Sequence, residues 1–97
     1  MRSLAELEHA LEAATAEPDL HAAADEILKV SEEVLEHWIV AKGDDPTFDT
    51  REGFRLLALH RQGAKGDPSF NACRETCREI AYHFNLVRSE ERRVGKE

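Results

Sequence analysis

Two cysteines in 97 residues are too few for a disulfide framework. No apolar run approaches the ~18 residues of a membrane helix. The opening Met1-Arg2-Ser3-Leu4-Ala5-Glu6 also lacks the apolar stretch of a secretion signal. These absences make a reducing cytoplasm the expected location, with no membrane partner. Nor does a basic stripe interleave with aromatic residues, and the net charge is −7, so nucleic acid is not an expected partner. Serines are few: Ser3, Ser31, Ser69 and Ser89 form no nucleophilic triad with histidine and acid, and nothing in the chain requires an enzyme.

What is present reads as helix. Ala, Leu and Glu dominate, and β-branched residues are sparse. The length fits one domain, expected over residues 1–87, followed by a polar, frayed tail at 88–97. Capping residues and stops divide the domain into four helices at about 4–16, 20–42, 51–62 and 69–87. The first is opened by a capping box of Ser3 and Glu6, and the second by Asp19, with Gly43 as its stop. The third is expected to open on a second box, Asp49 with Glu52, and to stop at Gly63. The fourth is expected to start from Asp67-Pro68, with Pro at the first helical position. Short linkers between such helices give a small antiparallel four-helix bundle as the expected fold.

The second helix carries apolar residues over about half its circumference, from Leu20 through Ile27, Val34 and Trp38 to Ala41. A single seam needs less. A core built from 97 residues is also thin, so the bundle is expected to be completed by dimerisation or by a larger protein partner. The leading functional reading is therefore a non-catalytic helical interaction or accessory protein.

Two other features point to chemistry. Cys73 and Cys77 are four apart, on successive turns of one helical face, where two thiolates can share Zn or Cu(I) or act as a redox pair. His60 is the candidate third ligand, since His83 lies about 120° around the helix from Cys77. Both cysteines also fall on the apolar stripe of Phe70, Ile80, Ala81 and Phe84, where a free cysteine serves as a small core residue. Core packing is accordingly the adopted reading, with metal or thiol chemistry as the alternative and no cofactor expected. Glu6-x-x-His9 has the spacing used by di-iron bundles, but the motif occurs once and Glu6 has a capping duty.

The second feature is charge. Residues 1–49 hold 13 acids and three bases, a net −10, whereas residues 50–97 hold seven acids and ten bases, a net +3. Two glycines and several bases surround the 63–69 turn, just ahead of a helix N-terminus, which is the setting of an anion site. Its candidate residues are Arg61, Lys65, Gly66, Ser69, Arg74 and Arg78. A Walker loop it is not, because the Gly-Lys-Ser/Thr ending is missing.

Overall fold

The computed structural model describes residues 2–96, with side chains described through residue 89. Four α-helices follow one another: α1 (Leu4–Thr15), α2 (Leu20–Ala41), α3 (Arg55–Gly66) and α4 (Arg74–Lys96). A 3-10 helix, Pro68–Cys73, leads into α4. The described residues are all-helical, with bundle-like packing and no strand; an isolated bridge joins Arg51 and Phe54. No helix among them is long and apolar enough to cross a membrane.

The first two helices start and stop where the capping chemistry places them. Ser3 Oγ accepts from the Glu6 N–H and Glu6 Oε1 accepts from the Ser3 N–H, both at 3.2 Å, which satisfies two otherwise orphaned donors. Asp19 accepts from the N–H groups of His21 and Ala22. At the far end of α2, Gly43 adopts φ +92°, the Gly43 N–H donates to Val40 O, and the Asp44 N–H donates to Ile39 O. This is the paired reverse-bond pattern that glycine permits at a helix end.

The third helix departs from the expected 51–62 at both ends. Residues 51–54 form a tight turn: Arg51 and Phe54 exchange two backbone hydrogen bonds of 2.9 and 3.0 Å, and the central residues Glu52 and Gly53 have φ values of 55° and 85°. Two successive positive φ values define a type I′ turn, which is incompatible with helix. The Asp49–Glu52 capping box therefore does not form; the Asp49 N–H takes Thr47 Oγ1 instead. Gly63 does not stop the helix either. It is buried inside α3, and the ring of Phe70 occupies the space a side chain would fill. Its role is close approach, not termination. The fourth helix likewise starts as a 3-10 turn and becomes α-helical only at Arg74. The expected frayed tail at 88–97 falls mostly beyond the residues whose side chains are described; the α4 backbone runs on to Lys96.

The main core lies where α2, α3, the 3-10 turn and the first half of α4 meet. Leu35 and Ile39 of α2, Phe54, Leu56, Leu57 and Leu59 around α3, Phe70, and Cys77 and Ala81 of α4 form one cluster. Phe70 is fully enclosed and stacks on Trp38, with ring centroids 3.8 Å apart. Five successive residues of α3, Leu56 to His60, are buried, matching the spread of its apolar positions around the axis. By contrast α1 packs on α2 alone, among the described residues. Leu7, Ala14 and Val30 are buried in these two helices, and Arg2 reaches the Glu26 and Glu33 carboxylates.

Candidate functional site

The cysteines sit where the apolar stripe puts them. Cys77 is buried in the main core and Cys73 is half-buried beside it. The Cys73 thiol donates to Phe70 O at 3.1 Å, and His60 Nε2 meets the same carbonyl at 2.8 Å. Because a carbonyl only accepts, His60 Nε2 must carry the proton of that bond. The three residues singled out as metal ligands are thus drawn toward one region, but two of them are spent on holding the 3-10 turn. Among the described residues no group of three or more His, Cys, Asp or Glu side chains is placed to hold a metal ion.

Burial, reinforced by the neighbouring Cys73, pushes the Cys77 thiol up to about 12. A thiol held there is protonated at neutral pH, and only the thiolate is a strong nucleophile. Cys77 should therefore resist alkylation by iodoacetamide at neutral pH in the native protein and react fully once urea unfolds the chain. Peptide mapping of the labelled protein checks this; equal labelling in both states would contradict it.

The 63–69 turn already has its own anion. Asp67 Oδ1 accepts from the Ser69 N–H at 3.0 Å, and Asp67 Oδ2 lies 2.7 Å from Lys42 Nζ. Lys42 first, then Ser69, draws the Asp67 carboxyl down to about 2. The donor that Ser69 was expected to offer to a ligand is occupied by the chain itself. Gly66 borders a small crevice with Lys42 and Asp67, and Lys65 lies beside Thr47 and Asp49.

The remaining candidates converge elsewhere. Arg61, Arg74 and Arg78 line a single groove of about 250 Å³ between α3 and the start of α4, with His60 and Asn71 among its walls. A fourth arginine, Arg51, joins them, and nothing in the sequence reading singled it out. Arg51 is brought there by the type I′ turn. Its signal is Glu52-Gly53, of which Glu52 also reads as the capping-box partner of Asp49. Arg78 lies 3.5 Å from the exposed Glu52 carboxylate. Among the described residues Arg51, Arg61 and Arg74 have no carboxylate partner.

A second surface is apolar. Among the described residues α1 and α4 make no contact with each other and both pack on α2, which leaves a valley between them along α2. On α2, Leu20, Ile27, Ser31 and Val34 fall within about 60° of one another. Leu20 is 69% exposed and Leu4 of α1 60%, and Leu11 and Val34 are also exposed. Arg2 with Glu26 and Glu33 closes one edge of the α1–α2 seam. Leu4 and Leu11 lie along the other edge, toward the valley, by the same helical count.

No protein-family model, curated protein or solved structure matches the chain.

Proposed function

We propose that the chain is a non-catalytic helical module that acts by association, first with a second copy of itself, through the valley between α1 and α4. The observation that carries this reading is uncovered area. The chain exposes 6644 Å², whereas a compact monomer of 11.0 kDa exposes about 5,600 Å². The Cα radius of gyration is 14.3 Å, against about 12.5 Å for a compact domain of this length. Part of that exposed area is large apolar side chain: Leu20 is 69% exposed and Leu4 60%, with Leu11 and Val34 also exposed. Leu4, Leu11, Leu20, Ile27 and Val34 supply the apolar centre that such an interface needs. Packing two copies valley to valley completes the helical bundle that one copy leaves open.

Each copy contributes an acidic half, so two copies repel at long range while their apolar faces attract. Salt screens that repulsion. Sedimentation equilibrium at micromolar concentration should give about twice 11.0 kDa, with association strengthened by added salt. Val34→Glu and Leu11→Glu should return the monomer without loss of helical circular dichroism. A wild-type chain that stays monomeric at low and high salt would overturn the proposal, as would dimers unaffected by both variants.

A further inference from the structure

We infer that the groove framed by Arg51, Arg61, Arg74 and Arg78 is a binding site for a phosphate dianion, free or as a monoester. This inference is independent of self-association, because the groove and the apolar valley are lined by different residues.

The first argument is electrostatic. The chain has 20 acids and 13 bases, so carboxylates are in surplus. Other cations use them: Arg2 pairs with Glu26 and Glu33, Lys42 with Asp67, and Arg55 with Glu36 at 2.6 Å. Around the groove the pattern reverses. Four arginines line one cavity, and among the described residues a single carboxylate, Glu52, lies within ion-pair distance of one of them, at 3.5 Å. Arg74 and Arg78 are also four apart on one helix, where like charges repel. Apart from the Arg78–Glu52 contact, such a cluster gains no ion pair among the described residues. It becomes favourable when an outside anion enters.

The second argument is shape. Arg61 projects from α3, Arg74 and Arg78 from two turns of α4, and Arg51 from the tight turn, so the four charges come from three directions. Guanidinium groups are planar forks that engage two oxygens at a time. A phosphate offers several oxygens and up to two charges, and can engage such forks from more than one side. A single carboxylate has two oxygens in one plane and would leave arginines unanswered. The volume of about 250 Å³ accommodates a phosphate with a small substituent. Leu57 forms part of the wall, beside four arginines that are all exposed and so free to receive an anion from solution. A long polyanion is disfavoured, since the groove is local and the surrounding molecule carries −7.

The third argument concerns rigidity. The groove's walls are α3, the 3-10 turn and α4, and they are tied at the base by the His60 and Cys73 bonds to Phe70 O. The helical arginines are therefore anchored on a backbone fixed before any ligand arrives, which lowers the ordering cost of binding.

Thermal shift and titration calorimetry with inorganic phosphate, phenyl phosphate and acetate, at matched ionic strength, test the site. Both phosphates should stabilise the protein and bind, and acetate should not. A stronger effect of phenyl phosphate would identify the monoester as the ligand, and an equal effect the free ion. Arg61→Gln and Arg74→Gln should each weaken binding at least about tenfold, the fold-change that a lost charge-assisted pair implies. Without ligand, both variants should melt no lower than wild type, since each relieves repulsion. Lys65→Gln should keep the full ligand response. The inference falls if no phosphate-specific response appears, or if Arg74→Gln binds as wild type. It falls also if the ligand-free arginine variants are destabilised, or if Lys65→Gln removes the response as completely as they do.

Discussion

Gly63→Ala is expected to lower stability by about 3 kcal/mol or more, the upper end of what overpacking a close-packed core costs. Helix propensity predicts the opposite sign, since alanine is favoured over glycine within a helix by about 1 kcal/mol. The steric effect wins because the new methyl would fall on the Phe70 ring, overlapping its Cδ1, Cε1 and Cζ atoms. The ring cannot move aside: Trp38 stacks on it at 3.8 Å and the Phe70 backbone carbonyl is held by His60 and Cys73. Urea unfolding followed by circular dichroism measures the loss as a lower midpoint with an unchanged slope. Adding Phe70→Leu to the Gly63→Ala chain should recover part of that loss, because the two positions contend for one volume. A Gly63→Ala protein as stable as wild type would show that the helix and the ring do not meet in this way.

Phe70→Ala should cost about 3–5 kcal/mol, as expected for truncating a fully enclosed aromatic side chain. Against a total of about 5–15 kcal/mol for a domain of this size, that is enough to populate unfolded chains at moderate temperature. The ring sits in the cluster formed by Leu35 and Ile39 of α2, Leu56, Leu57 and Leu59 of α3, and Cys77 and Ala81 of α4. Trp38 is the only tryptophan in the chain, so its fluorescence reports directly on the loss of its stacking partner. The emission of native Phe70→Ala should shift to the red. An unshifted spectrum and an unchanged urea midpoint would contradict the packing described for this ring.

Where the helices stop was legible whenever one local signal acted alone. Ser3 with Glu6, Asp19 and Gly43 each had no competitor; α1 and α2 begin on the first two, and α2 ends on the third. Asp49 with Glu52 had a competitor, the Glu52-Gly53 pair that the type I′ turn uses. Burial of Phe54, next to that pair, accompanies the turn and is a tertiary fact that no local pattern contains. Gly63 was misread as a stop for the same reason: its neighbour in space, Phe70, lies seven positions further along the chain. The cysteine stripe was legible because helical period alone assigns a face, and Cys77 lies in the core. Of the groove, Arg61, Arg74 and Arg78 were legible as bases near a helix start. Arg51 was not, because only the folded turn brings it to them. Asp67 is legible as a cap, but its pairing with Lys42 from the end of α2 spans 25 positions of sequence and is not.

Because α1 is held by α2 alone, it can detach and reattach while the cluster around Phe70 stays intact. Its amide protons are expected to exchange through a local opening and not through global unfolding, at a smaller free energy than those of the core helices. On that expectation the molecule has two cooperative units of unequal strength, with the weaker one bearing Leu4 and Leu11. Covering those two residues with a second copy would tie the weaker unit to the stronger, so that protection of α1 against exchange would rise with protein concentration.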